Sequence, residues 1–152
     1  MASVIQNTRK VFNFVVEVEG VNQYEIQKVT LPEVEIDAVS HGGDNTDIKT
    51  PGRVKTGDLV FEKVRPAAGS DTWAWDWLMD AQNPNTGSGK LATAVKRLII
   101  IKEMGPDGVT TLNSWAFKGC WVKKVAPGTL DRSSSDNLIE GVTLSVDKPV
   151  RV

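Results

Sequence analysis

The sequence predicts a mainly β protein with one α-helix, and three observations lead to this class. Hydrophobic residues make up 40% of the 152 residues and charged residues 24%, a balance typical of a folded globular domain. Most apolar residues lie in short stretches rich in β-branched and aromatic side chains, bounded by glycine, proline or asparagine. A single longer stretch, residues 72–82, has helical spacing instead.

The first part of the chain predicts four strands and a long loop. Residues 11–19 and 24–29 are rich in β-branched and aromatic residues and predict two strands joined by a turn. In residues 33–39 acidic and aliphatic residues alternate, so we expect the acids on a solvated face and the aliphatics on a packed face. Residues 40–57 have little apolar content and predict a long loop, and residues 58–65 return to a strand.

The helical stretch has both a start and a stop signal. Ser70 or Asp71 can cap it, and Asn83-Pro84 ends it, which predicts a helix over residues 72–82. Its apolar residues cover most of the circumference, so the helix must be largely covered by its own sheet or by a neighbouring subunit. The candidates for this packing or interface are Trp73, Trp77 and Leu78.

The second part of the chain predicts further strands and no helix. Residues 97–102 and 109–117 flank a Gly-Pro-Asp-Gly turn at 105–108, which is typical of a β-hairpin. Residues 119–125 and 138–146 add two more strands. Because the chain contains no repeat and no internal boundary, we expect one domain over its full length, 1–152, with the long loop at 40–57 as its irregular part.

The sequence contains no convincing catalytic or metal-binding motif. The glycine-rich residues 86–90 lack the upstream glycine and the following serine or threonine of a phosphate loop, and His41 has no nucleophile motif around it. The single cysteine, Cys120, excludes an intramolecular disulfide and predicts a buried, inert thiol. We expect no enzyme activity, cofactor or metal ion. A small enzyme or ligand-binding β-sandwich stays an alternative, and it requires a convergent polar pocket.

Charge is unevenly distributed along the chain. The 18 basic and 19 acidic residues give a net charge of -1, which disfavours a free-standing nucleic-acid binder. Residues 17–37 nevertheless contain six acids and one lysine, and residues 90–132 contain eight bases and three acids. These blocks predict either two solvated faces or complementary surfaces that guide association between copies. Glu17 and Glu19 also interrupt the N-terminal apolar run, so we expect no signal, no membrane anchoring and folding in the cytoplasm.

Several ordered motifs resemble the phage tail tube protein family of contractile tails. Residues 50–63 resemble the proline-glycine loop and following strand of that family, and Ser114-Trp115-Ala116-Phe117 matches its Ser-Trp-x-Phe strand. The family's helix, Asp-rich loop with Glu-bearing strand, and closing strand are matched by residues 77–82, 131–140 and 142–147. The resemblance covers nearly the whole chain, with local departures at 63–66 and 119–121.

This resemblance implies an antiparallel β-sandwich or partly closed barrel that oligomerises. Six copies form a ring whose strands join into one large β-barrel, and the rings stack into a hollow tube inside a contractile sheath. The implied partners are the sheath protein, a tape measure protein and the baseplate proteins that initiate the tube, and double-stranded DNA passes through without specific binding. The implied location is the virion tail, assembled in the host cytoplasm. The alternative is the inner tube of a type VI secretion system or a tailocin.

The resemblance also implies roles for individual residues. The loop at 40–57 contacts a neighbouring subunit or ring, and its candidate residues are Asp44, Asp47, Lys49, Pro51, Gly52, Arg53 and Lys55. The candidate lumen residues, whose charges would repel DNA, are Glu33, Glu35 and Asp37. Taken as chemistry alone, these acids on one strand face are more typical of a solvated surface than of a calcium site or a catalytic pair. We expect deletion of residues 44–54 to leave a folded subunit that forms no long tubes.

Overall fold

The computed structural model describes residues 13–19, 21–22, 26–42, 45–65 and 72–151. The strands in these ranges are β1 (Phe14–Val18), β2 (Val21–Asn22), β3 (Ile26–Thr30), β4 (Val34–Gly42), β5 (Asp47–Thr56), β6 (Leu59–Val64), β7 (Arg97–Met104), β8 (Thr111–Ala126), β9 (Ile139–Ser145) and β10 (Lys148–Arg151). The helices are α1 (Trp73–Ala81) and α2 (Ala92–Val95).

Eight strands form one sheet, in the order β2-β1-β7-β8-β9-β6-β3, with β10 beside β8. All of its strand pairs are antiparallel. Strand β8 pairs with β7 and β10 in its first half and with β9 in its second half, so it joins two parts of the sheet. The predicted fold class, mainly β with antiparallel pairing and one substantial helix, is confirmed. Within the described residues the sheet is not closed, and β2 and β3 are its two end strands.

The core is built from alternating residues of the sheet together with helix α1. In β9, Glu140, Val142 and Leu144 are buried while the residues between them are partly exposed, which is the period of two expected of a strand with one packed face. Ile99 on β7 and Phe61 on β6 are fully buried in the same cluster. Each such aliphatic or aromatic side chain contributes about 1.5–3 kcal/mol to folding through burial.

Helix α1 is confirmed within the predicted range of 72–82, and it packs on β8. The indole N–H of Trp77 donates to the carbonyl oxygen of Val95 at 2.7 Å, and the Arg97 guanidinium lies 4.7 Å from the centre of the Trp77 ring. Thr72 precedes the helix, and its hydroxyl bonds the Asp76 carboxylate at 3.1 Å. The predicted caps Ser70 and Asp71 lie outside the described residues.

The loop predicted at residues 40–57 is wrong. Strands β4 and β5 pair with each other over nearly their whole length and form a separate two-stranded sheet, which we call the arm. The packed aliphatic face predicted for residues 33–39 is also wrong, because Val34 and Ile36 are 53% and 55% exposed. A strand that is exposed on both faces has no reason to alternate apolar and polar residues, so the sequence of β5 does not show the period on which strand prediction depends.

The second part of the chain differs from expectation in three places. The strands predicted at 109–117 and 119–125 are one strand, β8. The strand continues through a bulge at residues 118–119, where Gly119 adopts φ +67° and the register with β7 shifts by one residue. Strand β10 is short and contains Pro149, and for this reason its sequence does not resemble a strand. Helix α2 is a single turn, too short to show helical periodicity.

A buried ion pair crosses from β6 to β9. Lys63 Nζ lies 3.1 Å from Glu140 Oε2, and the two side chains are 0% and 7% exposed. The ammonium group also lies 5.7 Å from the centre of the Trp73 ring, and Arg65 Nε lies 3.9 Å from the same carboxylate oxygen. The pair therefore holds two strands and the start of α1 together in a region otherwise filled by apolar side chains.

Candidate functional site

The arm is an antiparallel hairpin whose register places its residues on two distinct faces. Val34 and Thr56 are cross-strand partners near the base, and His41 and Ile48 are partners near the tip. The hairpin is closed at its base by a hydrogen bond from the backbone N–H of Gly57 to the carbonyl oxygen of Glu33, 2.7 Å long. Neither arm strand pairs with a strand of the main sheet among the described residues.

The arm has a bulge where β5 gains one residue relative to β4. The register shifts between Ile36 and Ala38, opposite Arg53 and Gly52. A Cβ atom at position 52 would lie 3.0 Å from both the carbonyl oxygen of Asp37 and a methyl group of Val39. Glycine at this position therefore allows the two strands to approach each other at the bulge.

Both faces of the arm carry exposed aliphatic side chains. The exposed fractions of Val54, Ile48 and Val39 are 61%, 60% and 44%, comparable with those of Val34 and Ile36. Since single exposed aliphatics are ordinary but a strand pair exposed along both faces is not, this surface is suited to be covered by another molecule.

The acidic lumen candidates lie at the base of the arm. Asp37 forms an ion pair of 3.1 Å with Lys55, and Glu35 is the direct cross-strand partner of the same lysine. Glu33 precedes β4 and is exposed. Glu35 and Asp37 are two residues apart on β4 and point to one face of the arm. Glu33 extends the same alternation, because its carbonyl oxygen accepts a hydrogen bond from Gly57 N–H in the same register. Whether that face lines a lumen stays a prediction.

The remaining arm candidates lie along β5. Asp44 lies outside the described residues, and the others are all in the paired strand and exposed: Asp47, Lys49, Pro51, Gly52, Arg53 and Lys55. His41 bonds the Thr50 hydroxyl at 3.1 Å across the arm, so its ring is engaged in holding the two strands together.

The helix candidates lie mainly against the protein's own core. Trp77 is 1% exposed, and Trp73 and Leu78 are partly buried against the core. The exposed tryptophan of this helix is Trp75, at 44%. Helix α1 therefore offers much less apolar surface for a neighbouring subunit than the arm does.

The two charged blocks of the sequence partly pair with each other within one chain. Lys102 Nζ lies 3.0 Å from Glu17 Oε1, and Arg97 Nε lies 3.7 Å from Glu19 Oε1, because β1 and β7 are neighbours. The acids of residues 33–37 are on the arm, away from this pairing. The charge available for contacts between copies is therefore smaller than the sequence blocks indicate.

The described residues contain clefts but no arrangement typical of catalysis. A cleft of about 320 Å³ is lined by Arg65, Trp75 and Glu140, but its carboxylate is already engaged with Lys63. No group of three or more His, Cys, Asp and Glu side chains in the described ranges is placed to hold a metal ion. In the same ranges, no helix has the length and apolar character that crossing a membrane requires.

Among the residues that the structure describes, three ionisable groups have shifted pKa values, each with a local structural cause. Burial raises the pKa of the Cys120 thiol to about 12, and the nearby charge of Asp147 adds to this, so Cys120 stays a thiol. The hydroxyl and backbone N–H of Thr110 and the N–H of Val109 hold the pKa of Asp107 at about 2. Hydrogen bonds from the Ser133 hydroxyl and N–H lower the pKa of Asp131. None of these groups lies in the arm.

The sequence of residues 10–149 matches the family model described as T4-like virus tail tube protein gp19. The chain belongs to this family. It is therefore a tail tube protein of phage-like contractile systems, a family whose members are structural. The resemblance seen in the ordered motifs of the sequence is thus confirmed.

Solved structures share the fold of this tail tube protein at low sequence identity. The sheath–tube complex of the extracellular contractile injection system PVC, in its extended state, contains a chain 17% identical, with a TM-score of 0.80 over 97% of this chain and 93% of that one. The tube-terminating cap of the anti-feeding prophage gives 15% identity and a TM-score of 0.83 over 100% and 95%. Hcp1 from Flavobacterium johnsoniae is 16% identical, with a TM-score of 0.55 over 92% of this chain and 94% of that one. No curated protein matches the chain.

The exposed aliphatic side chains of the arm were not predicted from the sequence of this tail tube protein. The apolar residues Ile48 and Val54 stand within a polar stretch, and their β-branched side chains were the available signal for a strand. The proximity of Lys118 and Lys148 was not predicted either, because they are 30 positions apart and become adjacent only through the pairing of β8 with β10.

Proposed function

We propose that this tail tube protein forms hexameric rings that stack into the hollow inner tube of a contractile bacteriophage tail, through which double-stranded DNA passes on ejection. The observation that carries the proposal is the arm, whose aliphatic side chains are exposed and are not covered by any other element in the described part of the chain. Family membership supplies the kind of assembly in which such a surface becomes buried. The role is structural and involves no enzyme activity.

The open ends of the main sheet support closure into a ring. Strands β2 and β3 are end strands in the described part of a single copy, and each has one edge of backbone N–H and C=O groups without a neighbouring strand. Pairing between end strands of adjacent copies satisfies these groups, and six repetitions close a barrel large enough to enclose an aqueous channel.

The acids at the base of the arm support weak contact with DNA. Glu33 and Glu35 are exposed, and neither forms an ion pair with a described side chain. If they line the lumen, they repel phosphate groups, which favours sliding over binding. Asp37 contributes less, because Lys55 neutralises it.

The partners of the proposed tube are the sheath, a tape measure protein and the baseplate proteins that initiate tube growth. The likeness in fold to a tube chain within the PVC sheath–tube complex supports the sheath as a partner on the outer surface. In this proposal the tube assembles in the host cytoplasm and ends up in the virion tail.

A second candidate function is the inner tube of a bacterial injection device of the type VI or tailocin kind. The observation that favours it is the likeness in fold to chains of PVC and the anti-feeding prophage, with TM-scores of 0.80 and 0.83. Analysis of tubes isolated from the native source separates the two, because nuclease-protected DNA indicates a phage tail and protein cargo indicates an injection device.

Negative-stain microscopy of the purified chain tests the assembly. We expect six-fold rings or hollow tubes from the wild-type protein at high concentration. A variant with residues 35–55 replaced by a short Gly-Ser linker should keep the far-ultraviolet circular dichroism of the main sheet but form no long tubes, since the Glu33–Gly57 hydrogen bond still closes the base. Tubes of normal length from this variant would refute the role of the arm.

Two sets of substitutions test whether assembly depends on the exposed aliphatic side chains of the arm and not only on its backbone. The first variant combines Val34→Thr, Ile36→Thr and Val54→Thr. It keeps a β-branched side chain at each position but removes exposed apolar area, so we expect it to reduce assembly. Val109→Thr with Leu130→Thr changes aliphatics that are 80% and 86% exposed in loops outside the arm, and should leave assembly intact.

A further inference from the structure

Two lysines of the main sheet are neighbours with like charge. Lys118 on β8 and Lys148 on β10 are direct cross-strand partners, and both are exposed. Neither forms an ion pair with a described residue. Asp147 precedes Lys148 in the chain, and its backbone N–H bonds the carbonyl oxygen of Lys118 at 3.1 Å, but its carboxylate is paired with Lys96 at 2.5 Å. Like charges placed directly opposite in a sheet are destabilising, so this lysine pair is a site where an outside carboxylate would be stabilising.

The arm presents a pair of acids with the complementary property. Glu33 and Glu35 point to the same face, and Lys55, the basic residue opposite Glu35, is engaged with Asp37. Residues two apart in an extended chain have Cα atoms about 7 Å apart. Direct cross-strand partners such as Lys118 and Lys148 are about 4.5–5.5 Å apart. The flexible lysine side chains easily cover this difference.

We propose that the Glu33/Glu35 face of the arm docks on the Lys118/Lys148 face of a second copy of this chain. This inference rests on the proposed assembly into tubes and names the surface on which the arm is received. It replaces the lumen role of Glu33 and Glu35 with a contact between copies. Each carboxylate meets an ammonium group across the contact, and the repulsion within each pair is relieved at the same time.

Exposed aliphatic side chains accompany both charged pairs, so the two faces match in apolar character as well. On the sheet, Val150 lies two residues after Lys148 and therefore on the same side of β10; it is 37% exposed. Leu98 precedes the buried Ile99 on β7, so it points away from the core, and it is 41% exposed. On the arm, Val39 and Ile48 lie on the face that carries Glu35. Contact between these faces buries apolar area around the ion pairs and lowers their exposure to water.

Reciprocal charge reversal tests this docking. One variant carries Lys118→Glu and Lys148→Glu, and the other carries Glu33→Lys and Glu35→Lys. Each variant alone places like charges across every contact between copies. We expect each variant alone to raise the concentration needed for tube formation at least tenfold. A 1:1 mixture should assemble at nearly the wild-type concentration, because each arm then finds an oppositely charged face on the other variant. Light scattering and negative-stain microscopy measure both quantities.

A control with the same change in net charge as the Lys118→Glu/Lys148→Glu variant is Lys124→Glu with Arg132→Glu, which alters two exposed bases elsewhere. We expect this variant to assemble like the wild type. Circular dichroism of all variants should match the wild type, since every substituted side chain is exposed. If the wild type forms tubes and both charge-reversal variants form them at an unchanged concentration, the docking is wrong while the proposed function stands. A wild-type chain that never assembles overturns both.

Disulfide trapping gives a second readout of the same contact. Glu35→Cys with Lys148→Cys should form disulfides between copies in oxidised tubes and give a ladder of covalent oligomers in denaturing gels. Cys120 is fully buried and does not compete. Glu62→Cys with Lys148→Cys is the matched control and should give no ladder. Equal ladders from both pairs, or a ladder only from the control, would contradict the docking.

Discussion

Lys63 and Glu140 form an ion pair in the core, 3.1 Å long, with side chains 0% and 7% exposed. Removing one charge from such a pair leaves the other in a region of low dielectric, which is more destabilising than removing both. We expect Glu140→Gln to lower the free energy of unfolding by about 3 kcal/mol, measured by urea denaturation followed by tryptophan fluorescence.

The double variant Lys63→Met with Glu140→Leu serves as the test of this reasoning, and it should be more stable than Glu140→Gln alone. Asp37→Asn is the exposed control, because Lys55 and Asp37 are 67% and 40% exposed, and it should change stability by less than about 1 kcal/mol. A double variant that is as unstable as the sum of the single ones would show that the two charges act independently.

The fold was predictable where one face of an element is buried and the other is not. Strand β9 and helix α1 show clear periods of two and 3.6, because Val142, Leu144 and Trp77 face the core and their immediate neighbours do not. Strand β5 of the arm has no such contrast, and its polar stretch of sequence contains only weak strand signals, whereas residues 34–39 of β4 alternate although both faces are exposed.

The candidate site was predictable in part for the same reason. The acids Glu33 and Glu35 stood out because they are local in sequence, and the importance of residues 40–57 was inferred from length and composition. The Lys118/Lys148 pair and the Lys63–Glu140 pair depend on strand register, which links residues 30 and 77 positions apart. No local pattern in the sequence encodes either pairing.

Trp77 stabilises the protein through a buried hydrogen bond as well as through its volume. Its indole N–H donates to the carbonyl oxygen of Val95 at 2.7 Å, and Trp77→Phe removes this donor and leaves a small cavity. We expect a loss of about 3 kcal/mol in the free energy of unfolding. Trp75→Phe on the exposed side of the same helix is the control and should change stability by about 0.5 kcal/mol or less. Equal losses would mean that ring volume, and not the hydrogen bond and burial, determines the effect.

The Asp107 turn should lose its stabilising effect in acid. The pKa of Asp107 is about 2 in the folded protein against an ordinary 3.8, because Thr110 and Val109 donate hydrogen bonds to its carboxylate. Since the folded pKa is the lower one, the contribution is complete above about pH 5 and is lost as the pH falls through 3.8 toward 2.

The difference in melting temperature between the wild type and Asp107→Ala should therefore be constant near neutral pH and shrink between about pH 4 and pH 2. Titration of the Asp107 carboxyl carbon by NMR measures the folded pKa directly. A difference that stays constant down to pH 2 would show that the carboxylate charge contributes nothing to the turn.

Gly119 lies against Asp147 at the point where β8 changes partners from β10 to β9. A Cβ atom at position 119 would overlap the Asp147 side chain, and the glycine has φ +67°. Gly119→Ala should therefore cost about 1 kcal/mol for the backbone conformation and at least about 1–2 kcal/mol more for the displaced side chain. Gly108→Ala is a close control, because Gly108 has φ +72° and open space where its Cβ would stand. We expect urea denaturation to give the larger loss for Gly119→Ala, and equal losses would mean that Asp147 moves aside without cost.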